Sequence, residues 1–233
     1  LLVLVKDSLL EFDLDLGLRP EGKNGARIRS LNGYAGYYEK WADTWEFQAL
    51  LRARPISGSI KLQNDFLALI NPLRYPKELS QKALLEIRRI KARVEAERLP
   101  QGADPSRHLK LGRGSLSDVE WVAQLFQLKH AGSHPALRTT QTIPALKAIA
   151  DLGLADKVAL NALAEAWLLS SRCRSALVLA MDKLADVLPS DRKVLEAMAR
   201  ILEYSPGSAG DLEEQYLGTT RKSRQAFEKL FLS

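Results

Sequence analysis

The sequence predicts an α+β protein that is mostly α, with a short sheet element near the start and a helical bundle behind it. Two observations carry this. Leu14, Leu16 and Leu18 alternate with Asp13, Asp15 and Gly17, the period-two pattern of a half-buried strand. From Asn32 onward the apolar residues recur at three-and-four spacing, the mark of amphipathic helices. A hydrophobic fraction of 46% over 233 residues is enough for one large or two small globular domains.

The first element places Asp13, Asp15 and Gly17 on one strand face. Isolated carboxylates are costly to bury, so such a face is solvated, paired or metal-bound. Pro20 and Gly22 stop the strand, and Asn24-Gly25 is a turn signal. Residues 27–31 are then expected to return as a second, basic strand. An acidic strand paired with a basic one suits a metal-bound polyphosphate, and an exposed hairpin with solvated charges is the plain alternative.

Tyr34, Tyr37, Tyr38, Trp41 and Trp45 form one aromatic helical face, read as core. Residues 44–54 continue that helix or follow a short break near Asp43, and Pro55 and Gly58 end it. Residues 60–70 read as a short amphipathic helix, with Asn71-Pro72 and Tyr75-Pro76 punctuating a connection. Residues 78–97 read as a long charged helix with Leu79, Ala83, Ile87, Ile90 and Val94 on its apolar face. Arg88, Arg89, Lys91, Arg93 and Arg98 accompany Glu86, Glu95 and Glu97, which reads as a solvated face with weak ion pairs.

Residues 99–114 are the longest irregular stretch, and loops of that length inside a compact domain are more often functional than decorative. Lys110-Leu111-Gly112-Arg113-Gly114 has the composition of a phosphate-cradling loop, yet no Gly-Lys-Ser/Thr ends it. The plain alternative is a glycine-rich turn before a helix capped by Ser115 or Ser117. Further helices are expected over 143–152, 155–184, 191–202 and 211–231, broken at Gly153, Pro189 and Pro206-Gly207, as in a helical bundle joined by short turns.

The single cysteine, Cys173, excludes an internal disulfide and a cysteine-based zinc site, and its helical setting suits a buried thiol. His130 and His134 are four apart, but Gly132, Ser133 and Pro135 break the helix that a shared metal would need. A net charge of +6 permits an acidic partner, but the basic residues are interleaved with acidic ones, so no nucleic-acid stripe is expected. No apolar run reaches the roughly 20 residues of a membrane span, and no export signal is legible, so a cytoplasmic location is expected. The chain opens with Leu1 inside an apolar segment, which reads as a piece of a longer protein.

Three segments together resemble glutamine synthetase adenylyltransferases, also called adenylyl-removing enzymes. Asp15-Leu16-Gly17-Leu18-Arg19-Pro20-Glu21-Gly22, with Gly25 following, resembles that family's Asp-x-x-Leu-Arg-Pro-x-Gly-x-x-Gly segment. Thr44-Trp45-Glu46-x-Gln48-Ala49-Leu50-x-Arg52-Ala53-Arg54 resembles its next signature. Lys110-Leu111-Gly112-x-Gly114-x-x-x-Asp118-x-Glu120-Trp121-x-x-Gln124 resembles the third, with Ser115 and Trp121 standing where the family usually has Gly and Phe.

The resemblance implies the remnant of a nucleotidyltransferase-fold sheet followed by a C-terminal helical bundle. It divides the chain into residues 1–76, the last part of a nucleotidyltransferase domain, and residues 77–233, the bundle. It implies that AMP passes from ATP to a tyrosine of glutamine synthetase, with Mg²⁺ as cofactor. Asp15 is the implied catalytic carboxylate and metal ligand, with Asp13 as the register alternative. Arg19, Arg52, Arg54 and Lys110 are the implied phosphate-binding residues, and Glu46 orients one of the arginines. ATP and glutamine synthetase are the implied partners, and the resemblance leaves room for a PII signal protein. The family's Gly-Ser-x-Asp-x-Asp pair does not occur in the chain and is expected upstream of Leu1. The wording of the second signature is closer to the adenylylating half. The alternatives are the phosphorolytic adenylyl-removing module and a non-catalytic helical interaction module.

Overall fold

The computed structural model describes residues 17–233. Among them are nine α-helices and no strand; one isolated antiparallel bridge joins His108 to Val187. The expected strand through Asp13 and Asp15 lies outside the described residues. The expected return strand at 27–31 does not form. A 3₁₀ turn, Gly22–Asn24, follows Glu21, and α1 begins directly at Leu31. Local partners explain the difference. Ser30 caps α1 by accepting from the Gly33 N–H at 3.1 Å, and Arg29 pairs with Glu21 at 3.0 Å while lying over the Tyr37 ring. Ile28, which a half-buried strand would cover, is 93% exposed.

Helices α1 (Leu31–Lys40), α2 (Thr44–Leu50) and α3 (Ile60–Arg74) form the first layer. The break at Asp43 is a capping box: the Asp43 N–H donates to Glu46 while the Asp43 side chain accepts from the backbone. Tyr37, Tyr38, Leu50 and Ile70 make a small core, with Tyr34 edge-on to Phe66. The aromatic face does not hold throughout, since Trp41 lies past the end of α1 and is largely exposed. Helix α3 also runs beyond Ile70 and carries Pro72 inside its last turn. A proline there removes only one ladder bond, and Asn71 Oδ1 accepts from both Nε and Nη2 of Arg74 at the helix end.

Helix α4 (Gln81–Glu97) leads through the long loop to α5 (Leu116–His130), the most buried helix, then α6 (Thr142–Asp151) and α7 (Lys157–Met181). Helices α8 (Arg192–Ile201) and α9 (Ala209–Phe227) close the bundle, and a π-helical turn, Glu228–Leu232, continues α9. The main core joins Ile87 of α4 with the apolar sides of α5, α6 and α7 and with Phe227 and Phe231. A second core lies between α7, α8 and α9 and takes Leu109 from the long loop. Helix α7 stops at Met181 and not near Leu184, because Asp182 adopts a left-handed conformation at φ 50°.

The charged helix is the main departure. Lys91, expected on a solvated face, is 2% exposed and sits in the middle of α4's inner side.

Candidate functional site

The described part of the first signature is a tight turn. Arg19 Nε donates to Gly25 O at 3.0 Å and its Nη2 to Lys23 O at 2.8 Å, so the guanidinium holds the loop that follows it. The turn is tied to α1 and α2 by one phenol. The Glu21 N–H donates to Tyr37 Oη at 3.3 Å, and that hydroxyl donates to Glu46 Oε1 at 2.9 Å. Burial pushes the Tyr37 phenol above its usual range, and the neighbouring Glu46 carboxylate adds to this. The turn that carries Arg19 and the Glu46 carboxylate thus meet at Tyr37 of α1. Glu46 accepts from Tyr37 and Asp43, not from Arg52 or Arg54.

The second signature forms a row of struts. Thr44 Oγ1 donates to Glu86 Oε2 of α4 at 2.5 Å, and Gln48 Nε2 donates to Gln124 Oε1 of α5 at 2.6 Å. Arg52 donates to Thr140 O and, at 2.7 Å, to Thr142 Oγ1 at the start of α6. Thr44 and Gln48, four apart, share one face of α2, and Arg52 follows in the turn past its end. Arg54 lies beyond that row, exposed and without a hydrogen-bond or ion-pair partner among the described residues.

The third signature meets the second at the Gln48–Gln124 bond and is otherwise built around Asp118. Asp118 is 1% exposed. Its Oδ1 lies 2.5 Å from Lys91 Nζ, and its Oδ2 accepts from the Gly114 N–H at 2.7 Å and from Arg224 Nη1 at 2.9 Å. Glu95 accepts from both cations at 2.9 Å, and Glu228 accepts from Arg224 at 2.8 Å. The Phe227 ring lies 5.2 Å from Lys91 Nζ and 4.7 Å from the Arg224 guanidinium carbon. Burial opposes ionisation of Glu95, but hydrogen bonds from Arg224 and Lys91 outweigh it and hold its pKa below the usual range. Two cations and three carboxylates therefore lock α4, α5 and α9 together.

The glycine loop serves this cluster. The N–H groups of Gly114, Ser115 and Ser117 go to Asp118 Oδ2, Gly112 O and Lys110 O. Gly114 has φ +74°, and a Cβ there would stand 1.9 Å from Thr220 O. The loop is thus pressed against the backbone of α9. Ser115 occupies the cap position of α5 but donates its hydroxyl to Gly112 O; the Ser117 N–H in the first turn goes to Lys110 O, and Asp118 reaches back to the Gly114 N–H. Lys110 is exposed on this loop, next to Leu109 in the second core, whereas Glu46 lies buried in the first layer.

Three of the residues that organise this region were not singled out by sequence: Lys91, Asp118 as an ion-pair centre, and Arg224. A legible signal existed for one. Lys91 is four residues after Ile87 and lies on the apolar stripe of α4, where a solvated lysine has no place. Among the described residues no group of three His, Cys, Asp or Glu side chains is placed to hold a metal ion, and the carboxylates of Glu95 and Asp118 are held by cations. Asp13 and Asp15 lie outside the described residues. No helix among those described is long and apolar enough to cross a membrane.

Two family profiles match the chain: one described as glutamate-ammonia ligase adenylyltransferase over residues 6–69, and one described as GlnD PII-uridylyltransferase over residues 87–231. Among similar proteins, the bifunctional glutamine synthetase adenylyltransferase/adenylyl-removing enzyme of Leifsonia xyli is 55% identical over 98% of this chain. Proteins of the same name from Streptomyces avermitilis and Mycobacterium avium are 49% and 47% identical, each over 94% of it. The chain spans 23% of the Leifsonia protein and 22% of each of the other two. With identity this high along nearly its whole length, the chain belongs to the family of glutamine synthetase adenylyltransferase/adenylyl-removing enzymes.

Proposed function

We propose that this chain is part of an enzyme that transfers AMP from ATP to a tyrosine of glutamine synthetase and so regulates nitrogen assimilation. The supporting observation is the 55% identity to a relative bearing that activity in its name. The adenylylating direction is favoured over phosphorolytic removal by the wording of residues 44–50. Residues 1–76 are assigned to the nucleotidyltransferase domain and 77–233 to the bundle. A PII signal protein is a further partner to test, since one matching profile carries that name.

In this reading Asp15 is the catalytic carboxylate, and Asp15 with Asp13 ligates Mg²⁺. Carboxylate oxygens are the hard donors that ion takes, and bound there it would neutralise phosphate charge. Arg19, Arg52, Arg54 and Lys110 are the phosphate-binding residues, with Glu46 supporting them. The struts at Thr44, Gln48 and Arg52 support the reading in a second way: they make the bundle a rigid backing for the turn that follows Asp15.

The test is Asp15→Asn in the intact protein, assayed for incorporation of labelled AMP into glutamine synthetase and, separately, for its phosphorolytic release. Loss of incorporation with an unchanged melting temperature is expected. Retention of most of the activity moves the assignment to Asp13. Loss of release alone reverses the direction.

A further inference from the structure

A cavity of about 440 Å³ lies between the long loop and α9. Its walls bring together three guanidinium groups, Arg113 from the loop and Arg221 and Arg224 from α9, over a floor that includes Leu217 and Thr220. The three arginines are not equivalent. Arg224 is held by Glu95, Asp118 and Glu228. Arg221 uses only Nε, which donates to Leu217 O at 3.1 Å. The Arg113 side chain has no hydrogen-bond or ion-pair partner among the described residues. Among the described residues no carboxylate pairs with either of these two, and Asp104 on the loop is engaged by the Ser106 N–H and hydroxyl.

The backbone that carries Arg113 is fixed. Its N–H donates to Pro105 O at 3.0 Å, and the next residue, Gly114, abuts Thr220 O and Arg224 N. The Arg113 guanidinium and the Nη groups of Arg221 thus border one concavity, carried on fixed backbone. Planar forks of this kind match the oxygens of phosphate and bind it bidentately. The cavity is larger than one phosphate and has an apolar floor, which suits the organic part of a phosphorylated small molecule.

We propose that this cavity binds a small phosphorylated ligand, with Arg113 and Arg221 gripping the phosphate. The site goes beyond the proposed AMP transfer and does not depend on it. Arg224 lies in its wall and also in the Lys91–Asp118 cluster, and Asp118 holds the glycine loop through Gly114. The cavity thus shares a wall with the α4–α5–α9 contact.

The experiment titrates inorganic phosphate into the intact protein by calorimetry at constant ionic strength, with malonate as a dicarboxylate control. The variants are R113Q, R221Q and the double variant. Both side chains are exposed, and unchanged circular dichroism melting checks that the variants fold. Saturable phosphate binding is expected, weakened about ten-fold or more by each single change and one site fewer in the double variant. No saturable binding, equal affinity in the double variant, or binding of malonate without phosphate would overturn the proposal.

Discussion

Lys91 Nζ and Asp118 Oδ1 lie 2.5 Å apart in side chains that are 3% and 1% exposed, joining the middle of α4 to the first turn of α5. The pair is satisfied only as a set. Asp118 also receives Gly114 and Arg224, and Glu95 bridges the two cations. Desolvating such groups is expensive, so the arrangement adds specificity of packing more than net stability, and its weakness is the loss of one partner.

Removing that partner is the first prediction. Lys91→Met should destabilise the protein by about 3–5 kcal/mol, because the remaining carboxylates stay buried with an unbalanced charge. Lys61→Met, in the exposed Lys61–Asp65 pair of α3, should change stability by no more than about 0.5 kcal/mol. Urea denaturation of the two variants side by side measures the contrast, and equal effects would mean that the cluster is solvated in solution.

Glycines 114 and 36 should respond in opposite directions. Gly114→Ala places a Cβ against Thr220 O in a left-handed backbone, which costs about 1–2 kcal/mol for the conformation alone and more for the clash. At Gly36, inside α1, a Cβ meets nothing within 4 Å, so Gly36→Ala should stabilise by about 0.5–1 kcal/mol. Thermal melts of both variants decide it.

Arg52 and Arg54 separate structural from ligand roles. Arg52, in the turn after α2, ties that turn to α6, so Arg52→Met should lower stability by about 1–3 kcal/mol whatever it does to nucleotide. Arg54→Met should leave the melting temperature unchanged, and a weaker ATP affinity in that variant would then report phosphate contact directly. Unchanged ATP affinity removes Arg54 from the site.

Stability should also depend on His108 in mild acid. Its buried ring accepts at Nδ1 from the N–H groups of Leu111 at 3.1 Å and Lys110 at 3.3 Å. Burial lowers its pKa below 6.5; Asp186 acts against this, while Arg174 and Lys110 add to it. The unfolded chain therefore binds this proton first. The neutral ring's contribution is complete above about pH 6.5 and is lost as pH falls through the folded-state pKa. Between pH 7 and 5, unfolding free energy should fall more steeply in the wild type than in His108→Gln. Parallel slopes would show that the ring does not titrate with folding.

The sequence alone determined the helical class, most helix positions and the breaks at Gly153, Pro189 and Pro206-Gly207, because these are local matters of period and backbone permission. Its three signatures also pointed to the family, since they depend on residue type in order along the chain. What it could not determine was the meaning of individual polar residues. Lys91 sits among exposed charges of the same helix, and only Asp118, 27 residues on, and Arg224, 133 residues on, make its burial tolerable. Gly112 and Gly114 read equally well as a phosphate cradle or a turn, and the close approach of Thr220 O decided which constraint acts on Gly114. Residues 27–31 have the composition of a strand, yet the Arg29–Glu21 pair and the Ser30 cap took them out of one. In each case the deciding partner is distant in sequence or competes with the local pattern, and burial of charge is settled by what packs across from it.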